Sequence, residues 1–328
     1  MGFVRSCGVT HASREPAERL LGPRSVRRDS MTAPLGPILV ATDFSAHARH
    51  AATRAARLAH DTRSALTLMH VLPAQPVTKV REWLGASSAH EPKLCDQAHR
   101  QLRQMASELT GVRRIELDIE AAAGSAPDEI VRTAERVDAR LLVVGARGAG
   151  FLRRLVLGTT SQRLLRRTDR PLLVVRQMAH RSYRRVLVAV DFSPQSRHAL
   201  ILARHVAPSA KLVILTVFQV PFEGKLRFAG VEDATFEIYR KRARARALRQ
   251  LHALAHEAGL SPSQWELCVV EGDAPRRIVE QEQSRNCDLV VLAPHGQSVV
   301  ADLLLGSVTR HVLAEGNVDV LLSTLPEP

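Results

Sequence analysis

The sequence predicts an α/β protein of two tandem doubly wound domains, each a five-stranded parallel sheet flanked by helices. Two observations predict this fold. A set of sequence landmarks repeats at a constant spacing, and short continuous apolar runs alternate with amphipathic stretches of helical length. The length of 328 residues agrees, since it favours two domains over one.

The repeat has an offset of 148 residues, which is far too long for a solenoid unit. The segment ILVATDFS beginning at Ile38 returns as VLVAVDFS beginning at Val186. Three further landmarks keep the offset: Gly124-Ser-Ala-Pro127 with Gly272-Asp-Ala-Pro275, Leu141-Leu-Val-Val with Leu289-Val-Val-Leu, and Gly158-Thr159 with Gly306-Ser307. A constant offset over four landmarks indicates a duplicated domain.

Within the first copy, the elements follow from the apolar pattern. Continuous apolar runs, which suit parallel strands buried on both faces, lie near 37–42, 65–71, 115–120, 141–145 and 171–176. Amphipathic stretches predict helices near 46–60, 92–110, 126–137 and 159–168. Ser45 and Ser193 suit helix N-caps, and Pro194 suits the first helical position, where its missing N–H costs nothing.

The same pattern sets the domain boundaries. We expect a first domain at 36–178 and a second at 184–328. Residues 1–35 show no periodicity, and we expect a disordered tail there; an over-extended start, with Met31 as the true initiator, is the other interpretation.

Composition excludes several classes of protein. No apolar run reaches the length of a membrane-spanning helix, so we expect no membrane partner. The four cysteines form no CxxC pair, which indicates free thiols and a cytoplasmic location. The net charge is +13, but the basic residues are spread along the chain and no nucleic-acid motif accompanies them. The run from Tyr239 to Arg246 predicts a solvated helix with charges around most of its circumference, so a nucleic-acid partner is not favoured.

Two segments have the character of a ligand site. Asp43 ends the first strand, and Gly145-Ala-Arg-Gly148 follows the fourth, with nine residues before Gly158 and Thr159 at a helix start. In doubly wound sheets, ligands bind beyond the carboxyl ends of the strands, where the strand order reverses. Glycine turns next to a helix N-terminus form a cradle for phosphate.

These residues resemble the ATP-binding branch of the universal stress proteins, whose signature is Gly-x2-Gly-x9-Gly-Ser/Thr. The opening strand, the strand ending in His70-Val71 and the segment Arg170-Pro-Leu-Leu-Val-Val are similar to that family as well. The resemblance covers residue 36 to the end, as two Rossmann-like domains. It implies the strand order 3-2-1-4-5 in each domain and ATP at the carboxyl edge.

The resemblance also implies roles for individual residues. Asp43 and the backbone of Val71 would hold the adenosine end of ATP. The phosphates would be held by Gly145, Gly148, Gly158 and Thr159, and Arg147 (with Arg153 and Arg154 nearby) could pair with phosphate oxygens. A Mg²⁺ ion would relieve repulsion between Asp43 and the phosphates.

The second copy departs from the signature. It reads Ala293-Pro-His-Gly296 and then, after nine residues, Gly306-Ser307. Pro294 has no N–H to donate, and Ala293 adds a methyl group. Asp191 and Val217, the counterparts of Asp43 and Val71, remain, so nucleotide binding by the second domain stays open.

The sequence contains no Walker, GxSxG or HExxH motif and no histidine cluster typical of a metal site. We therefore expect a regulatory protein without catalytic residues, in which ATP orders the Gly148–Gly158 segment and changes what an unidentified protein partner binds. A nucleotide-independent scaffold and a weak ATPase are the alternatives. Single-domain members of the family that this sequence resembles pair through their last strand. The resemblance therefore implies that Pro171–Arg176 and Val318–Thr324 pair as an internal pseudo-dimer, which would remove two exposed sheet edges, and association of two chains remains open.

Overall fold

The computed structural model of the protein describes residues 35–73, 90–146, 159–220, 223–293 and 306–323. The strands of the first half are β1 (Ile38–Ala41), β2 (Leu66–Pro73), β3 (Leu117–Gly124), β4 (Leu141–Gly145) and β5 (Leu172–Val175). Those of the second half are β6 (Arg185–Ala189), β7 (Lys211–Phe218), β8 (Trp265–Glu271), β9 (Leu289–Leu292) and β10 (Asp319–Leu322).

Helices flank the strands in both halves. The first half has α1 (Ala46–Thr62), α2 (His90–Val112), α3 (Ala126–Arg136) and α4 (Thr159–Leu164). The second half has α5 (Pro194–Val206), α6 (Glu223–Phe228), α7 (Asp233–Glu257), a 3₁₀ turn (Pro262–Gln264), α8 (Ala274–Ser284) and α9 (Ser307–Glu315). The predicted α/β class with two domains is confirmed.

All ten strands belong to one sheet, in the order β3-β2-β1-β4-β5-β10-β9-β6-β7-β8. Within each half the neighbouring strands are parallel, and the order of each half is 3-2-1-4-5. The halves join where β5 pairs antiparallel with β10, with Val174 opposite Val320. The two expected pairing segments therefore meet within one chain.

Both faces of the sheet are covered, which explains the continuous apolar runs in the sequence. In β1, Ile38 and Val40 pack into the core on one face, whereas Leu39 packs into the core on the other. The helix α1 lies on the first of these faces, and its alanines bring its backbone close to β1 and β4. No helix in the described ranges is long and apolar enough to cross a membrane.

Two predicted boundaries differ from the structure by more than two residues. The third strand was expected at 115–120, but β3 continues to Gly124, because β2 pairs with it as far as Pro73. The fourth helix was expected to end at 168, but α4 ends at Leu164. Beyond it the Arg166 N–H donates to the Arg163 carbonyl, so the chain tightens into turns.

A buried polar cluster of Arg54, Tyr183 and Asp319 joins the two domains at their seam. Arg54 of α1 donates from Nε to Asp319 Oδ2 at 3.1 Å, and the Tyr183 hydroxyl donates to the same oxygen at 2.7 Å. The Arg54 guanidinium also lies 4.0 Å from the centre of the Tyr183 ring. The side chains of Arg54 and Asp319 are only 7% and 1% exposed.

The other carboxylate oxygen of Asp319 binds the backbone after β5. Its Oδ1 accepts from the Arg176 N–H at 2.8 Å and from the Gln177 N–H at 3.3 Å. One buried carboxylate at the start of β10 therefore holds both α1 of the first domain and the segment that leaves β5.

Replacing Asp319 with asparagine should leave the Arg54 charge buried without its counter-ion. We expect a loss of about 3–5 kcal/mol in the free energy of unfolding, measured by urea denaturation. The matched control is Glu108→Gln, which breaks the half-exposed Arg49–Glu108 pair and should cost about 1 kcal/mol or less. Equal losses from the two variants would contradict the proposed importance of the cluster.

Tyr183 should make stability sensitive to alkaline pH. Burial, and after it the nearby Asp319 charge, raises the pKa of Tyr183 well above its ordinary value of 10.0. The unfolded chain ionises this tyrosine above about pH 10 while the folded chain keeps it neutral, so the free energy of unfolding should fall there as pH rises. The free energy of unfolding of Tyr183→Phe, measured by urea titration at each pH, should decrease less between about pH 9 and 11 than that of the unaltered protein. An equal decrease in the two proteins would argue against this assignment.

Candidate functional site

The carboxyl ends of β1 and β4 form the topological switch point of the first domain. These strands are neighbours, and the chain leaves β1 towards β2 on one side and β4 towards β5 on the other. Such a divergence opens a crevice at the sheet edge. Asp43 follows β1 and Gly145 ends β4, so the structure places these two predicted site residues at the same edge of the sheet, at the ends of neighbouring strands.

A tight turn presents Asp43 at this edge. Phe44 has a left-handed backbone conformation with φ of 63°, and the Ser45 N–H donates to Asp43 Oδ1 at 3.0 Å. Ser45 Oγ in turn accepts from the Ala48 N–H at 3.2 Å and caps α1, as predicted. The Asp43 side chain is exposed, so a ligand can reach it.

His70 positions this turn, a function that the sequence did not reveal. Its Nδ1 lies 2.7 Å from the Thr42 carbonyl oxygen, which can only accept, so Nδ1 carries the proton in this contact. The Phe44 ring packs on the imidazole with 4.4 Å between ring centres. Val71 follows on β2, half-buried and paired with Ala122, so its backbone lies near the same edge.

Gly145 has a packing function that is separate from phosphate contact. A Cβ atom there would lie 2.9 Å from both the carbonyl carbon and the oxygen of His47. Backbone atoms cannot yield as a flexible side chain can, so only glycine lets the first turn of α1 approach β4 this closely. Contact between Gly145 and phosphate stays a prediction.

Several predicted site residues lie outside the described residues. They are Arg147, Gly148, Gly158 and Gly296, together with Arg153 and Arg154. Thr159 is described as the first residue of α4.

The second domain has the same turn with a different hydrogen-bond pattern. Phe192 has φ of 64°, and Asp191 Oδ1 accepts from the Ser193 N–H at 3.0 Å. The same oxygen also accepts from Ser196 Oγ at 2.9 Å, and Ser196 occupies the position of Ala48 in the first domain. Asp191 is accordingly half-buried and held by a second hydroxyl, whereas Asp43 is exposed.

Other positions in the second domain reinforce this asymmetry. Ser193 Oγ is buried without a hydrogen-bond partner within the described part of the chain. Ala293 stands where the first domain has Gly145. Val217 pairs with Val270, as Val71 pairs with Ala122, and Gly306 and Ser307 still open α9. The replacement of Ala48 by Ser196 is visible in the sequence, but its effect on Asp191 depends on side-chain geometry.

The described residues offer no reactive thiol in the second domain. Cys268 and Cys287 are buried, and burial raises the pKa of the Cys287 thiol to about 12 and that of Cys268 above its ordinary value. Both are therefore protonated and poorly nucleophilic near neutral pH. No group of three or more histidine, cysteine or acidic residues is arranged for a metal ion in the ranges that the structure describes.

Comparison with known families decides what kind of protein this is. The model of the universal stress protein family matches residues 35–176 and again 182–323. The chain belongs to the universal stress protein family. It is a tandem member, since each match covers one of the two domains.

Named relatives agree with this assignment. A universal stress protein of Mycolicibacterium smegmatis is 29% identical over 310 residues, which cover 87% of this chain and 96% of the relative. One of Mycobacterium tuberculosis strain H37Rv is 27% identical over 190 residues, or 57% of this chain and 62% of the relative.

Solved structures of universal stress proteins share the fold. A crystal structure from Archaeoglobus fulgidus has a TM-score of 0.63 at 17% identity and covers 88% of this chain and 98% of that chain. A putative universal stress protein from Pseudomonas aeruginosa UCBPP-PA14 has a TM-score of 0.56 at 19% identity, with 90% of this chain and 94% of that one covered.

Gly145→Ala tests the close approach of α1 to β4 in this universal stress protein. The added methyl group should force the helix and strand apart and cost about 1–3 kcal/mol in the free energy of unfolding, read from chemical denaturation. Gly111→Ala near the end of α2 is the matched control, because a Cβ there meets nothing within 4 Å. The control should be neutral or slightly stabilising, and an equally neutral Gly145→Ala would refute the packing argument.

Proposed function

We propose that this stress-response protein binds ATP at the carboxyl edge of its first domain and acts as a cytoplasmic regulator rather than an enzyme. The observation that carries the proposal is the exposed Asp43 carboxylate, held by its turn at the switch point beside the end of β4. The signature Gly145-x2-Gly148-x9-Gly158-Thr159 begins at that same strand end. Membership of the universal stress protein family supports the assignment.

The donor and acceptor groups at this edge suit a nucleoside triphosphate. An exposed carboxylate accepts hydrogen bonds from ribose hydroxyls, and the backbone of Val71 at the edge of β2 offers polar groups to an adenine ring. The glycines of the signature and the start of α4 would face the phosphates, with Arg147 as an added cation. A Mg²⁺ ion bound with ATP would screen the phosphate charge from Asp43.

The two domains differ in a way that favours the first as the nucleotide site. Asp191 already accepts a hydroxyl hydrogen bond from Ser196, so a ribose hydroxyl would have to compete with it. Pro294 removes one N–H from the second loop. We therefore propose one ATP site per chain. Its occupancy would order the Gly148–Gly158 segment and change the surface that a partner protein contacts.

The test begins with the nucleotide content of the protein. The purified chain is denatured, the released small molecules are separated by chromatography, and the emptied protein is titrated with ATP and Mg²⁺ in a calorimeter. We expect about one ATP per chain. Gly148→Glu should abolish binding, because it places a carboxylate among the phosphates, and Asp43→Asn should weaken binding about tenfold or more.

Matched variants in the second domain complete the experiment. Gly296→Glu and Asp191→Asn should leave the affinity within about twofold of the unaltered protein. Absence of ATP binding, or loss of binding by the second-domain variants alone, would overturn the proposal. A nucleotide-independent scaffold predicts an empty site in every variant. Sustained phosphate release that disappears with Gly148→Glu would instead identify an ATPase.

A further inference from the structure

The helix α7 carries two groups of cations with different surroundings. The Arg240 side chain lies against the second domain, where it donates hydrogen bonds to Glu223 at 2.7 Å and to Glu271 at 3.0 Å. The hydrogen bond to Glu271, and after it the one to Glu237, raise the pKa of Arg240 above its ordinary value, and the charge of Glu223 acts in the same direction. The same side of the helix buries Phe236, Ala247 and Leu251 against the second domain.

The second group of cations faces solvent. Lys241, Arg242, Arg244, Arg246 and Arg249 are exposed, and the described part of the chain gives them no hydrogen bond or ion pair. With 3.6 residues per turn, four of them fall within an arc of about 140°, and Arg244 lies about 60° outside that arc, beside the buried side of the helix. Charges surround α7 as the sequence predicted, but four of its five exposed cations without partners lie on one side.

Exposed apolar side chains lie near the N-terminal end of α7, next to these cations. Phe228 is 97% exposed, Ile238 52% and Tyr239 42%. The helix α6, which ends in Phe228, is fixed to α7 because Arg227 pairs with Asp233 and stacks 5.0 Å from the centre of the Phe236 ring. Here we define the outer α7 surface as Phe228, Ile238, Tyr239, Lys241, Arg242, Arg246 and Arg249.

The first domain supplies an internal comparison. Its equivalent helix, α2, exposes Arg100 and Arg103 among acidic and amide side chains, and its Glu108 pairs with Arg49. Both helices connect the second and third strands of their domain. The fold therefore does not require an unpaired cationic stripe at this position, and the outer α7 surface needs another explanation.

We propose that the outer α7 surface docks on an anionic phospholipid membrane. Exposed lysine and arginine side chains are attracted to anionic head groups, and apolar side chains beside them gain by leaving water at the lipid interface. The phosphates of a nucleic acid would pair with the cations, but a nucleic acid has no aliphatic region in which Ile238 would be buried from water. The proposed contact is peripheral, so it needs no membrane-spanning helix.

The proposal is tested by flotation of the full chain with lipid vesicles. One set is pure phosphatidylcholine, and in the other about a third of the lipid is phosphatidylglycerol. We expect the protein to float with the anionic vesicles only, and less so as salt rises. Replacing Lys241, Arg242, Arg246 and Arg249 together with glutamine should lower vesicle partitioning about tenfold or more. Phe228→Ser with Ile238→Ser should lower it several-fold without changing the salt dependence.

The matched control is Arg100→Gln with Arg103→Gln on α2, which should leave partitioning unchanged. Circular dichroism checks that every variant keeps its helical content, as substitutions of exposed side chains should. The proposal is overturned if the α7 and α2 variants partition equally into the vesicles. It is also overturned if the unaltered protein does not float with the anionic vesicles. Binding to a short RNA that is lost in the glutamine variant, without vesicle binding, also overturns it and identifies a nucleic-acid surface.

Discussion

The antiparallel pairing of β5 with β10, fixed by the buried carboxylate of Asp319, is the constraint on which the arrangement of this protein depends. It turns two five-stranded sheets into one and removes two exposed edges. Because all strands within a half are parallel, it also sends the carboxyl ends of the two halves to opposite edges of the sheet. The candidate site of the first domain and its counterpart in the second therefore cannot share one ligand.

A duplicated chain allows one copy to keep a function while the other changes. At the turn after the first strand, Ala48 in one domain leaves Asp43 exposed, whereas Ser196 in the other binds Asp191. The connecting helices differ in the same manner, since the exposed side of α2 mixes charges and that of α7 is cationic. The two domains thus share an architecture and present different chemistry.

The apolar runs predicted the elements because they are local properties of the chain, and the repeat at an offset of 148 residues indicated that the same set of elements occurs twice. They located β1, the turn with Asp43 and the cap at Ser45, which rest on neighbouring residues. Neither pattern predicted the polar cluster at the seam, because Arg54 and Asp319 are 265 residues apart in the sequence. The packing function of Gly145 was also hidden, because it depends on how closely the His47 backbone approaches. Sequence patterns predict the elements, and the family resemblance predicted that the two last strands meet, whereas side-chain contacts between distant elements need coordinates.

The helix α1 links the candidate site to the seam, and this limits how ATP could act. Its first turn is capped by Ser45 beside Asp43 and touches Gly145, and its middle carries Arg54. Sliding α1 would break a buried ion pair and open the contact with β4, which is costly compared with the energy of a single ligand hydrogen bond. Any response to ATP at the proposed site would therefore cost least where α1 and the packing of the two domains stay unchanged.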